Sequence, residues 1–286
     1  MACQSKLSKM STKTIVITRP SGQAQQLLEL LNASLLNSEV SRQDFPKIIS
    51  LPLLTIVPKN DDQLTEHITV ALSDADLAIF VSPNAIECVM RLLKRSWDEL
   101  AKKPIPIGVM GGSSEQALRN HGIGLAGSST SIIIPQHHEQ WDSEGLWLEL
   151  QKRNWDWVGR KVVIFKGEGG REWLADTLKK AGASIEPISV YSRVPLDLDS
   201  PVWEAIQEMD FSQSLWLLTS SEAVRYLGKV MKDQFLQTLH TASAICSHHQ
   251  IADAAEQIGF GEVFTSEPGD TALIEAAKIW LDSSVG

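Results

Sequence analysis

Short apolar runs alternate with longer stretches of helical period along this chain. Thr14 to Thr18 reads as a strand, and apolar positions at helical spacing follow from about Gln23 to Leu36. Ala78 to Val81 is a second strand, before a helix from Asn84 to Lys94. Ile105 to Met110 is a third, before a helix from Ser113 to His121. The order then returns with Val162 to Lys166 and its helix, Leu215 to Thr219 with Glu222 to Met231, and Ala244 to Ser247 with Gln250 to Ile258. Strands that are apolar throughout, set between helices, imply parallel sheets covered on both faces. The expected class is α/β.

The alternation also repeats residue by residue. Leu77 to Ile86 lines up with Leu215 to Val224, so that Ser82 falls on Ser220 and Ala85 on Ala223. At nearly the same offset Ala117 to Gly122 falls on Ala254 to Gly259. Two matches at one spacing favour two related α/β domains over chance likeness between strand–Ser–helix units. Leu51 to Pro58 and Ile188 to Pro195 both alternate in β fashion and stop at a proline, which cannot continue a ladder. They read as a pair of extended linkers lying side by side. The expected division is a discontinuous domain of 13–49 plus 196–286, linker strands at 50–58 and 188–195, and an inserted domain of 59–187. Residues 1–12 are polar with scattered lysines and no apolar centre, which predicts a disordered extension and no signal peptide.

Composition narrows the partners. With 286 residues, 43% of them apolar and 21% charged, the chain reads as a globular protein of two domains. Its net charge is −9, with no basic run or aromatic-basic stripe, which argues against nucleic acid. No segment approaches the length of a membrane span. Cys3, Cys88 and Cys246 are far apart and odd in number, without metal-type spacing, so a reducing compartment and a cytoplasmic location are expected. The adjacent pairs His137-His138 and His248-His249 do not suggest a metal, because neighbouring side chains are expected to point in different directions.

The candidate chemistry concentrates between Gly159 and Pro195. There a short strand runs into Lys166-Gly167-Glu168-Gly169-Gly170-Arg171, which is expected to open an amphipathic helix. Glycines between a strand end and a helix start let the backbone approach a ligand, and free N–H groups at the helix start suit an anion. Lys166 and Arg171 flank that spot, so it reads either as a carboxylate or phosphate site or as a tight turn with solvated charges. The run lacks the third glycine of a dinucleotide fingerprint and the Gly-Lys-Ser/Thr of a P-loop.

At this point the residues resemble a family. Thr18-Arg19-Pro20, Phe80-Val81-Ser82-Pro83-Asn84-Ala85 and Lys166-Gly167-Glu168-Gly169-Gly170-Arg171-Glu172 are similar to motifs of uroporphyrinogen-III synthases. So are Val190-Tyr191-Ser192-Arg193-x-Pro195, Leu218-Thr219-Ser220-Ser221 and Ser247-His248-His249-Gln250-Ile251-Ala252, in order from Thr14 to Leu281. The resemblance implies two flavodoxin-like parallel-sheet domains, joined by a two-stranded β linker, with an active site in the cleft between them. It implies ring closure of the linear tetrapyrrole hydroxymethylbilane to uroporphyrinogen III, with loss of water and inversion of the last ring through a spiro intermediate. No cofactor and no metal are implied. The expected partner is the small-molecule substrate, with transient contact to the upstream enzyme left open, and a monomer is expected.

Carried onto this chain, Tyr191 becomes the candidate proton donor to the leaving hydroxyl; the other reading is packing, since tyrosine is common in strands. The candidate substrate-binding residues are Arg19, Ser82, Asn84, Gly111, Ser113, Lys166, Gly167, Gly169, Gly170, Arg171, Ser220, Ser221, Ser247 and His248. Ser82, Ser220 and Ser221 are equally expected as helix caps, and Arg19 as half of a salt bridge. Arg171 could instead reach a carboxylate on its own helix. The turn Gly111-Gly112-Ser113-Ser114 departs from the family's Gly-x-x-Thr but keeps a hydroxyl for capping, and Gln250 stands where arginine is frequent. The alternatives are a non-catalytic tetrapyrrole- or anion-binding protein on the same fold and, less favoured, a nucleotide-dependent transferase.

Overall fold

A computed structural model describes residues 12–37, 45–100, 103–231 and 237–283. The expected N-terminal extension therefore lies outside the described residues up to position 11. The chain begins β1 (Thr14–Ile17), α1 (Ser21–Leu36), β2 (Lys47–Ser50), β3 (Leu54–Pro58) and α2 (Asp62–Asp74). It continues through β4 (Leu77–Phe80), α3 (Pro83–Leu93), β5 (Ile107–Val109), α4 (Gly112–Asn120) and β6 (Ile132–Ile133). Next come α5 (Ser143–Gln151), β7 (Lys161–Gly167), α6 (Trp173–Lys180), β8 (Ser184–Pro195) and α7 (Val202–Gln207). β9 (Ser214–Leu218), α8 (Ser221–Val230), β10 (Ser243–Cys246), α9 (His249–Gln257), β11 (Glu262–Thr265) and α10 (Asp270–Ser283) complete the order.

Internal contacts divide the chain into two compact units, Met1–Thr55 with Pro195–Gly286 and Ile56–Val194. The first unit holds a five-stranded sheet in the order β11-β10-β9-β1-β2, parallel throughout. Counting its strands along the chain gives the order 2-1-3-4-5, that of flavodoxin-like folds. Both faces are covered, as apolar strands require. Leu27, Leu31 and Leu35 of α1 pack with Leu273 and Ala277 of α10 over Ile15, Ile17 and Leu217. On the opposite face Val224 and Leu227 of α8 and Ala255 of α9 pack over Val16, Trp216 and Leu218.

The second unit holds the order β3-β8-β7-β4-β5-β6. Its run β8-β7-β4-β5-β6 is parallel and repeats the spatial pattern of the first sheet, with β7 and β8 in the places of β1 and β2. The connectivity is permuted, because β7 and β8 follow the other strands in sequence while β1 and β2 precede theirs. α2, α3 and α4 cover one face through Leu72, Val89 and Leu118. α5 and α6 cover the other through Leu146, Leu150, Leu174 and Leu178. The tryptophan-rich stretch after Trp141 contributes here, with Trp147 and Trp155 both against Trp157.

Two segments read as linkers take a more regular form. In the first, Ser50 ends β2 and Leu54–Pro58 forms β3, which lies beside β8 in the six-stranded sheet. Residues 188–195 continue a strand that starts at Ser184 and pairs with β7 as far as Tyr191. Among the described residues no helix is long and apolar enough to cross a membrane.

Candidate active site

In open parallel sheets ligands gather beyond the carboxyl ends of the strands, where neighbouring strands send their helices to opposite faces. Each unit has one such switch point. In the first it lies between β1 and β9, since α1 and α8 belong to different faces. In the second it lies between β7 and β4, since α6 and α3 do. Some of the motifs singled out from sequence end up at these two places, and the turns after β5 and β10 lie one strand further out.

At the second switch point Ser82 follows β4 in extended conformation, and its Oγ accepts the Ala85 N–H at 3.2 Å, capping α3. Pro83 occupies the first helical position, where a missing N–H costs nothing. The same Oγ lies 3.0 Å from the hydroxyl of Tyr191, whose ring is buried. Arg193 Nη1 donates to that hydroxyl at 3.4 Å, and its guanidinium carbon sits 5.7 Å from the Tyr191 ring centroid. Arg193 Nη2 donates to the Glu168 carbonyl at 3.3 Å. Two side chains, Ser82 after β4 and Arg193 from β8 itself, thus converge on one phenol oxygen.

The direction of Tyr191 depends on a β-bulge. The β7–β8 register pairs Lys166 with Ser189 but Gly167 with Tyr191, which leaves Val190 as the extra residue. Strict alternation would send Tyr191 away from the face that holds Ile188 and Val190. The bulge resets the parity, so Tyr191 joins the same core cluster. Gly167 makes this possible, because a Cβ there would stand 2.5 Å from Tyr191 Cε2. Its glycine is thus explained by the tyrosine ring, whatever part it has in ligand binding.

The glycine run does not open the helix directly. Gly169 and Gly170 have φ of 67° and 87°, a left-handed region that β-carbon residues avoid, so they form a loop. α6 begins only at Trp173, without a side-chain cap from Glu172. The flanking cations are held within the chain. Lys166 Nζ lies 3.4 Å from Glu172, and Arg171 forms a two-pronged pair with Glu144 of α5, not with its own helix. A ligand carboxylate at either residue would have to compete with those partners.

The turn after β5 also departs from expectation. Gly111 occupies the cap position and offers no side chain, so the exposed Ser113 sits inside α4 and does not cap it. The indole of Trp141 covers this turn, with its Cε3 3.1 Å from where a Gly111 Cβ would stand. Asn84 lines a cavity of about 340 Å³ along α3, together with Ile56, Pro58, Cys88, Arg91 and His121. Cys88 is buried, and that burial pushes its thiol above the ordinary value.

At the first switch point Ser220 Oγ accepts the Ala223 N–H at 3.3 Å and caps α8, while Ser221 is the first helical residue. Across from it Thr18 Oγ1 donates to the Leu217 carbonyl at 2.8 Å. Arg19, half-buried, is ion-paired with Asp270 at the start of α10. Ser247 N–H donates to the Leu218 carbonyl, which holds the β10 turn beside β9. His248 caps α9 by accepting the Gln250 N–H at Nδ1, 3.3 Å away. Its ring does not diverge from that of His249: the two centroids are 4.0 Å apart. The backbone changes from extended at His248 to helical at His249, and that change folds the adjacent rings together. Among the described residues no three His, Cys, Asp or Glu side chains are placed to hold a metal ion.

Grouped by unit, the structure brings Ser82, Lys166, Gly167 and Tyr191 together at one switch point and Arg19 and Ser220 at the other. Gly111 and Ser113 lie one strand further out in the second unit, as Ser247 and His248 do in the first. Sequence reasoning assigned no role to Arg193 or Asp270. Arg193 was within reach, since residues two apart on a strand share a face.

The comparisons with known proteins agree with this architecture. A family profile described as uroporphyrinogen-III synthase HemD matches residues 38–275. The chain is 25% identical to the uroporphyrinogen-III synthase of Escherichia coli (strain K12) over 268 residues, covering 93% of this chain and 100% of that one. Its fold is similar to a mutant uroporphyrinogen III synthase from the extremely thermophilic bacterium Thermus thermophilus, with a TM-score of 0.62 at 14% identity, covering 96% of this chain and all of the other. It is also similar to the uroporphyrinogen-III synthetase of Helicobacter pylori 26695, with a TM-score of 0.56 at 14% identity, covering 94% and 100%.

Proposed function

We propose, from the premise that this chain belongs to the uroporphyrinogen-III synthase family, that it closes hydroxymethylbilane to uroporphyrinogen III. Water is lost and the last pyrrole ring is inverted through a spiro intermediate, which makes the protein a cofactor-free hydro-lyase of porphyrin biosynthesis. The observation that carries the reading is the Tyr191 hydroxyl, engaged by Ser82 and Arg193 at the end of β4 and β7.

The chemistry asks for little more than this. The electron-rich pyrroles and a readily departing hydroxyl let the linear substrate close unaided to the uninverted isomer. The protein's task is to hold the chain folded for the spiro route, assist departure of the hydroxyl, and shield the cationic intermediate. A phenol proton delivered to the leaving oxygen supplies modest acid assistance. Carboxylates of the substrate would meet backbone N–H groups and the residues Arg19, Ser82, Asn84, Gly111, Ser113, Lys166, Gly167, Gly169, Gly170, Arg171, Ser220, Ser221, Ser247 and His248. Because Arg19, Lys166 and Arg171 each already hold a carboxylate, binding at them would be an exchange of partners.

The test is a coupled assay with freshly generated hydroxymethylbilane, followed by oxidation and chromatographic separation of the uroporphyrin isomers. Predominantly type III product is expected. Type I alone, formed at the protein-free rate, would replace the enzyme by a non-catalytic binding protein on the same fold.

A further inference from the structure

We propose that Arg193 is a positioning residue for the proposed acid Tyr191: it holds the phenol oxygen as an acceptor, so that the phenol proton is turned outward to the substrate. The inference rests on the reading of Tyr191 given above and adds the device that sets its hydrogen.

The argument is an inventory of protons. A guanidinium has only donors, so the contact from Arg193 Nη1 to the Tyr191 oxygen fixes that oxygen as acceptor of one hydrogen bond. Ser82 Oγ accepts from the Ala85 N–H, which uses one of its lone pairs and leaves its own proton to place. The 3.0 Å contact between Ser82 and Tyr191 can run either way. When Ser82 donates, both lone pairs of the phenol are filled and its proton has no place within the trio. A substrate oxygen that accepts this proton therefore selects that state. Without Arg193 one of those acceptor sites stays empty, and the phenol oxygen loses its tie to the Glu168 carbonyl through the shared guanidinium.

The fold prepares the geometry. Tyr191 and Arg193 lie two apart in β8 after the bulge, on one face of the strand. The same guanidinium holds the Glu168 carbonyl, so the left-handed glycine loop and the phenol share one clamp. A lysine offers a point charge and no fork, and cannot span both oxygens.

A simpler role is also available to Arg193, namely stapling the loop, and a double-mutant cycle separates the two. The full chain is compared with Arg193→Gln, Arg193→Lys, Tyr191→Phe and Tyr191→Phe/Arg193→Gln in the isomer-resolved assay, with far-ultraviolet circular dichroism as the check on folding. Arg193→Gln should lower kcat by about tenfold, the scale of one hydrogen bond, and change KM less than twofold. In the Tyr191→Phe background it should change kcat less than twofold, and Arg193→Lys should recover only part of the loss. An equal loss in both backgrounds would overturn the positioning role while leaving Tyr191 in the mechanism. Wild-type kcat in Tyr191→Phe would remove the reading of Tyr191 and this inference with it. Should Arg193→Gln fail to fold, the cycle is run with Arg193→Lys and the same criteria apply.

Discussion

The turns after β4 and β9 are built alike, one in each unit. A serine, Ser82 or Ser220, caps the helix that follows and accepts the N–H of an alanine three residues on. One strand further out, α4 and α9 both stop at a left-handed glycine, Gly122 or Gly259. The next residues, Ile123 and Phe260, bond back to Leu118 and Ala255 in the same closing pattern. The neighbouring strand makes the difference. Beside β4, β7 ends on Gly167, which leaves room for Tyr191 to reach Ser82. Beside β9, β1 is followed by Thr18 and Arg19, which are bonded to Leu217 and Asp270. A repeated unit thus carries its caps and stops with it, while the chemistry at its switch point comes from whichever strand lies alongside.

The largest contrast should lie between the two tyrosines of the chain. Tyr191→Phe removes a buried donor and should lower kcat by about ten- to hundredfold with little change in KM, on the scale of about 1–3 kcal/mol for such a group. Tyr226→Phe loses a bond to the Leu196 carbonyl and should leave kcat within twofold. Steady-state kinetics on both variants would break the contrast if the two losses were equal.

Glycine substitutions come next. A Cβ at Gly167 meets the Tyr191 ring, and one at Gly228 meets Ile258 Cγ2 at 2.6 Å. Each alanine variant should lose about 1–3 kcal/mol in denaturant titration, the usual cost of overpacking. Only Gly167→Ala should also lower kcat, because it displaces the phenol.

The caps sharpen the comparison further. Ser82→Ala and Ser220→Ala should each cost about 1 kcal/mol of stability. The kinetic effect should be greater for Ser82→Ala, which takes a partner from Tyr191. Equal kinetic losses would mean that both switch points assist the reaction in the same way.

The smallest effect is a pH dependence in the second unit. Burial raises the carboxyl of Asp76, but the Lys103 ammonium and the Lys161 backbone N–H outweigh it and hold it below the ordinary value. Asp98 is likewise lowered, with burial outweighed by the hydroxyls of Thr130 and Ser129. A carboxylate lowered by folding adds stability above its unfolded value and loses it as pH falls through the folded one. Melting temperature should therefore fall below about pH 4, and Asp76→Asn should flatten that fall. An unchanged slope in the variant would remove Asp76 from the acid response.

Much of this was legible because it is local. Apolar runs of strand length, serines before helices and glycines after them state backbone conformation residue by residue. The alternation marked the strands, and the offset between Ser82 and Ser220 marked the repeat, before any contact was known. The candidate site was legible only in outline. Lys166, Arg171 and Arg19 could be named as cations near turns, yet their carboxylate partners Glu172, Glu144 and Asp270 could not be assigned. Of these, Glu144 and Asp270 lie far along the chain, and nothing at either position marks the pairing.

By itself, the sequence determined the α/β class, most of the strand and helix positions, the capping serines and the family. Each of these depends on periods of two or 3.6 residues, or on short motifs, and so survives without tertiary information. Tertiary structure alone decided that β7 lies beside β4 and that the bulge opposite Gly167 turns Tyr191 onto the face of Ser82. It also brought Arg193 within reach of the same oxygen. Strand order and register are set by contacts between residues distant in sequence, and one extra residue in a ladder reverses the face of all that follow.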